Sequence, residues 1–228
     1  MKQFVIIGGS SGIGKSIAKK LKNQGEVSAT YFQNQEDLED GVNWQFFDAL
    51  NPNYDWLPDQ IDGLVYCPGA INLKPFKRID RKTLIEDFNL QVGGAYETIQ
   101  KALPALKKSD NASVLLFSTV AVQNGFNFHS LVSTSKGAIE GLTAALAAEL
   151  APNIRVNAIA PSLTQTNLSS KMLNTEIKME QNNNRHPLKR IGQPEDIANM
   201  AELLLTEKGS WISGQIMKVD GGMSSIKS

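Results

Sequence analysis

"IIGGSSGIGKSIA" (residues 6–18) overlaps the apolar run QFVIIG (3–8) and leads into IGKSIAKKLKNQG (13–25). The first run reads as a buried strand. The second carries apolar residues at 13, 17, 18 and 21, a helical stripe that Gly25 is expected to close. A glycine-rich turn between a first strand and a first helix has a physical use. Gly8 permits a tight turn, Gly12 lets a pyrophosphate approach the backbone, and Gly14 lets the helix pack on the strand, with Ser10, Ser11 and Ile13 completing the loop. The start of the helix then offers free N–H groups and a positive dipole end to phosphates. The same glycines would serve an ordinary turn; their place directly after a first strand favours a nucleotide.

Outward from this loop, strand-like runs recur at 26–32, 42–48, 61–69, 112–119, 154–161 and 214–222. Helical patterns lie between them. Residues 80–108 read as two pieces meeting near Gly93 and Gly94. Residues 133–150 are rich in Ala and Gly, and 194–207 have Pro194 in the first turn. Residues 162–192 are polar and read as a mobile insertion, a lid over a pocket. The alternation predicts an α/β protein of one domain, 1–228, with a doubly wound, mostly parallel seven-stranded sheet covered on both faces. Ligands of such sheets bind at the carboxyl ends of the strands, near the switch in strand order.

Bulk properties narrow the partners. Lys plus Arg (23) balance Asp plus Glu (23), so no net field favours nucleic acid or an anionic membrane. The single cysteine, Cys67, excludes an intrachain disulfide, and with two histidines it makes no metal cluster. No apolar run approaches the ~20 residues of a membrane span, and the strand-like run by Phe4 leaves no room for a signal peptide. A cytoplasmic protein is expected.

These features together resemble the short-chain dehydrogenase/reductase family over essentially the whole chain. The resemblance is carried by Gly8-x-x-x-Gly12-x-Gly14, FFDAL (46–50), YCPGA (66–70), IRVNAIAPSLTQT (154–166), HPLKRIGQPEDIA (186–198) and WISGQIMKVDGG (211–222). It implies a Rossmann fold binding NAD(P)(H). Asp48 and Ala49 would meet the adenine, and Pro68 and Gly69 would form the turn after the fourth strand. Pro161, Leu163, Thr164 and Thr166 would line the nicotinamide, with Ser162 in a glycine place.

The family's reaction uses Asn, Ser, Tyr and Lys. In HSLVSTSKGAIEGL (129–142), Lys136 matches the lysine that holds the nicotinamide ribose. Four residues earlier, in the tyrosine place, stands Val132, which cannot exchange a proton. Thr119 stands in the serine place, beside Ser118, and keeps a hydroxyl. Gapless counting puts Gln91 in the asparagine place; Asn89 would serve only after a shift in helix register. A positioned general acid contributes ~10²–10⁴ in rate, so the resemblance implies a poor reductase of the usual mechanism rather than none. Variant enoyl-reducing members place their tyrosine seven residues before the lysine, and here that residue is His129. It is a substitute acid or, by the preferred reading, a surface or capping histidine. Lys136 is either a solvated charge or a ribose ligand; its small neighbours favour the ribose. Ser133 and Ser135 read as helix caps or substrate contacts.

The end of the second strand, ATYFQNQ (29–35), has no acid before Glu36. A carboxylate there would bind a ribose 2′-OH and repel a 2′-phosphate, so NADP(H) is favoured over NAD(H), with Gln33 and Asn34 as donors. Lys15 and Lys22 read equally as helpers or surface charges. Family resemblance implies a homodimer or homotetramer through the helices at 80–108 and 133–150, whose small residues could also pack on their own sheet. Phe126, Phe128, Leu73, Leu163 and Met172 are candidate pocket walls. Two functions stay open: an oxidoreductase acting on a small carbonyl, alcohol or enoyl substrate through an altered site, and a weakly active or inactive NADP(H)-binding sensor or scaffold.

Overall fold

The computed structural model describes residues 1–35 and 38–226. Seven strands, β1 Lys2–Ile7, β2 Gly25–Tyr31, β3 Asn43–Phe46, β4 Gly63–Tyr66, β5 Ala112–Phe117, β6 Ile154–Pro161 and β7 Ile216–Val219, pair in the order β3-β2-β1-β4-β5-β6-β7, every pair parallel. Strand order turns between β1 and β4, so the loops after these two strands diverge and open a crevice.

Burial on both faces explains why the central strands are mostly apolar, with the buried polar Ser113, Arg155 and Asn157 hydrogen-bonded. Along β1, Val5 and Ile7 join one core while Phe4 and Ile6 join the other. The first core is covered by α3 (Gly94–Leu106) and α5 (Ser130–Leu150), the second by α1 (Gly12–Leu21) and α7 (Pro194–Leu205). A helix α2 (Arg81–Phe88) precedes α3, the short α4 spans Ala121–Asn124, and α6 spans Glu176–Arg185.

Several boundaries differ from expectation. Helix α1 ends at Leu21, and Gly25 begins β2 rather than capping the helix. A Cβ at Gly25 would lie 2.3 Å from the Lys2 carbonyl oxygen, so this glycine serves the close approach of two strands. Helix α5 starts at Ser130, three residues before the expected start at 133. The break near Gly93 and Gly94 is a turn of π-helix over Asn89–Gly93. Residues 162–192, expected as a mobile polar insertion, contain regular elements. They build a 3₁₀ turn, Asn167–Met172, then α6, and a bridge from Thr164 to Gly192.

Candidate active site

The glycine loop adopts the geometry its sequence demands. Gly8 and Gly12 have φ of 80° and 50°, in the left-handed region. A Cβ at Gly14 would sit 2.1 Å from the Gly8 carbonyl oxygen, so only glycine lets α1 pack this tightly on the loop. The first turn of α1 contains no acid, and its N-cap, Ser11, makes no side-chain capping bond. The loop is tied down by buried Thr30, whose hydroxyl accepts from the Gly8 N–H at 2.8 Å. These features fit a dinucleotide pyrophosphate: an open, positive helix start beside a backbone with no side chain in the way.

A cavity of ≈ 610 Å³ opens from this loop across the ends of the central strands. Its wall includes Ile13, Gly69, Gln91, Thr119, His129, Val132, Lys136, Pro161, Leu163, Thr164 and Thr166. Gly8, Ser10, Ser11, Gly12, Gly14, Gln33, Asn34, Asp48, Ala49 and Pro68 are not in that wall; Gly12 and Gly14 are in the first turn of α1, and the others lie along the loops after β1, β2, β3 and β4. Leu73, Phe126 and Met172 line the cavity as expected, whereas Phe128 does not; it is exposed at φ 68°.

The polar floor is built by the π turn. Buried Gln91 donates from Nε2 to Asp87 Oδ2 at 2.7 Å, and Ser135 Oγ donates to the same oxygen at 2.6 Å. Asp87 Oδ1 and Gln91 Oε1 are buried with no protein partner among the described residues. A Cβ on Gly69 would lie 3.4 Å from Gln91 Oε1 and 3.6 Å from Lys136 Nζ, so both polar ends meet beside Gly69. Tyr66 closes the π turn by donating to the Leu90 carbonyl at 2.6 Å. Burial pushes the Lys136 ammonium down to about 8, against the opposing pull of Asp87 and Cys67. Burial likewise pushes the Cys67 thiol up to about 12, with Lys136 acting the other way.

The remaining candidates separate by their bonds. Thr119 Oγ1 has only long contacts, 3.3 Å from the Ala121 N–H and 3.5 Å from the Pro161 carbonyl, which leave its hydroxyl available to the cavity. Ser118 donates to Glu140 at 2.6 Å and is committed. Neither Ser133 nor Ser135 caps α5: Ser133 donates to the Ala121 carbonyl, and Ser135 is bound to Asp87. His129 is half-buried, with its ring edge-on to Phe126. Its Nδ1 lies 2.8 Å from the Asn127 carbonyl and must donate there, leaving Nε2 without a proton in the neutral ring. Lys22 is paired with Glu39 at 2.5 Å. The Leu50 N–H, with Asn51, holds the Asp48 carboxyl below its ordinary range.

Sequence reasoning missed Asp87 and the role of His186. Asp87 is a polar residue in a polar stretch, and only its packing against α5 buries it. His186 is 3 % exposed, donates from Nδ1 to the Asn182 carbonyl and accepts at Nε2 from Ser162 Oγ. It ties the lid to the end of β6.

A family model described as enoyl-(acyl carrier protein) reductase matches residues 45–224. The chain belongs to the short-chain dehydrogenase/reductase family. It is 30% identical to the uncharacterized oxidoreductase YmfI of Bacillus subtilis, over 97% of this chain and 98% of that one. It is 33% identical to 3-oxoacyl-[acyl-carrier-protein] reductase FabG of Aquifex aeolicus, over 96% and 86%. Among solved structures, ElxO with NADP bound superposes with a TM-score of 0.85 at 25% identity, covering 99% of each chain. Members of this family are NAD(P)-dependent oxidoreductases. Among the described residues, no helix is long and apolar enough to cross a membrane, and no group of three or more His, Cys, Asp and Glu could hold a metal.

Proposed function

We propose that the protein is an NADP(H)-dependent oxidoreductase that reduces a small carbonyl or enoyl compound through an altered active site. The observation that carries this reading is convergence. Ile13 at the start of α1, Thr119 after β5, Gln91 on the π turn and Lys136 on α5 line one cavity at the carboxyl ends of the strands. The glycine loop and the α1 N-terminus would hold the pyrophosphate, Asp48 and Ala49 the adenine, Lys136 the nicotinamide ribose, and the loop from Pro161 to Thr166 the nicotinamide. When bound, the reduced cofactor supplies a hydride. Thr119 Oγ1 would hold the substrate oxygen. Lys136, a cation at neutral pH, would supply positive charge beside that oxygen as the proton arrives by way of water. The unpartnered oxygens of Gln91 and Asp87 would seat such a water next to Lys136.

The preference for NADP(H) rests on the end of β2, where Gln33 and Asn34 follow the strand and no carboxylate intervenes. Glu36 lies outside the described residues. Glu39, the next acid in the described chain, is occupied by Lys22, and Lys19 and Lys15 add positive charge around it. ElxO, a structural relative, is an NADP-bound protein. The exposed Gly141, Ala144, Ala145 and Ala148 of α5 support assembly into a dimer or tetramer through that helix, and the single cysteine, Cys67, fits a reducing, cytoplasmic setting.

A second reading follows from Val132, which is 6 % exposed, faces the cavity and by resemblance takes the family's tyrosine place. A cofactor-binding protein with little turnover, a sensor or scaffold, would keep Lys136 and lose the acid. NADPH oxidation followed over a panel of ketones, aldehydes and enoyl thioesters separates the two. Turnover on at least one compound supports the reductase; NADPH binding with no turnover on any supports the sensor. Loss of turnover in His129→Ala would identify His129 as the acid, and unchanged turnover assigns the proton to water.

A further inference from the structure

Resting on the reading that this cavity holds cofactor and substrate together, we infer that the substrate is an anion: an apolar chain ending in a carboxylate or phosphate that the inner face of the lid binds. The charged residues in the cavity wall are all cations, with no Asp or Glu among them. Lys136 is on the floor, while Lys171, Lys178 and Arg185 belong to the lid.

The lid sorts its charges by helix face. In α6, Lys178, Gln181, Asn182 and Arg185 stand at i, i+3, i+4 and i+7, one stripe, and all four line the cavity. Glu176 and Glu180 lie on the opposite side of the helix and do not. An ordinary solvated helix would pair these charges along its length. Here the ion pairs of the described residues involve none of the three lid cations. Their partners are neutral. Lys178 Nζ donates to Asn174 Oδ1 at 2.9 Å and to the Lys171 carbonyl at 3.4 Å. Arg185 Nη1 donates to Asn182 Oδ1 at 3.4 Å, and its guanidinium lies 5.6 Å from the centre of the Phe126 ring, itself part of the wall. These bonds orient Lys178 and Arg185 without neutralising them. The rest of the wall, including Ile71, Leu73, Val132 and Met172, is apolar and suits a hydrocarbon stem. A concave site lined by one sign of charge concentrates ligands of the other.

The test titrates octanoate, octyl phosphate and octan-1-ol into the NADP⁺-loaded protein by calorimetry, after NADPH affinity has been measured by fluorescence. At least one of the two anions should bind about tenfold or more tightly than the alcohol; which one binds distinguishes a carboxylate from a phosphate. Added salt should weaken the anion and not the alcohol, because the cations are exposed. The triple variant Lys171→Gln, Lys178→Gln, Arg185→Gln should abolish the preference and leave NADPH affinity unchanged. Neither anion binding more tightly than the alcohol, or a preference that survives both salt and the triple variant, overturns the inference. Weakened NADPH binding in the triple variant also overturns it, by giving the cations to the cofactor phosphates, and leaves the reductase reading standing. Failure of the wild-type protein to bind NADPH removes both.

Discussion

Lys136 is expected to be held at a cost to the fold, and Lys136→Met measures that cost. Its ammonium falls from 10.5 to about 8, which corresponds to about 3 kcal/mol against the charged form. The side chain is only partly buried, and solvent screening reduces the figure to about 1–2 kcal/mol. The sign is fixed by linkage. The folded value lies below the unfolded one, so the penalty is fully present below pH 8 and fades as the pH rises towards 10.5. Methionine has a similar length and no charge, so Lys136→Met should stabilise the protein at pH 7 by that amount. This would raise Tm by about 2–6 °C, and the gain should shrink by pH 10. The same variant should lose most of its NADPH affinity. Thermal unfolding at the two pH values, with fluorescence titration of NADPH, reads both effects. A variant that is less stable at pH 7 and still binds NADPH would make Lys136 a structural partner of Asp87 and refute the assignment.

Three further outcomes follow from the same geometry. Val132→Tyr should raise carbonyl reduction by ~10²–10⁴ in kcat/KM with NADPH affinity unchanged; no gain in a variant that still binds NADPH would mean that the other groups are misplaced for catalysis. Asp87→Asn should move the pH at which NADPH affinity falls to a lower value, because Asp87 raises the Lys136 ammonium; an unmoved profile would disconnect the two groups. Gly14→Ala should cost ~1–3 kcal/mol or more in urea unfolding and abolish NADPH binding, since the new methyl meets the Gly8 carbonyl at 2.1 Å and backbone cannot yield; a stable, NADPH-binding variant would contradict the close packing.

What the sequence made legible is what local chemistry decides. The glycine loop, the doubly buried strands and the break at Gly93 and Gly94 each carry a local signal, and each is present in the fold. Gapless counting points to Gln91 rather than Asn89, and Gln91 is 1 % exposed and lines the cavity, whereas Asn89 does not. Long-range packing hid the rest. Asp87 and Ser135 are 48 residues apart, and nothing near either predicts a buried carboxylate shared between them. Gly25 looks like a helix stop until Lys2 is placed beside it. Residues 162–192 read as a mobile polar insertion because α6 buries no side chain of its own; its order comes from Thr175 at the N-cap and from His186, which fastens its end to Ser162. Nothing local in the sequence singles out the lid cations, because only the helix shows which of them share a face.

The central claim is that this fold holds NADP(H) in the cavity that Lys136 and Thr119 line. Fluorescence titration of the wild-type protein with NADPH and NADH in parallel tests it most directly. The account predicts saturable NADPH binding at least about tenfold tighter than NADH, the preference being the 2′-phosphate's charge-assisted hydrogen bonds. Binding of neither nucleotide would contradict it.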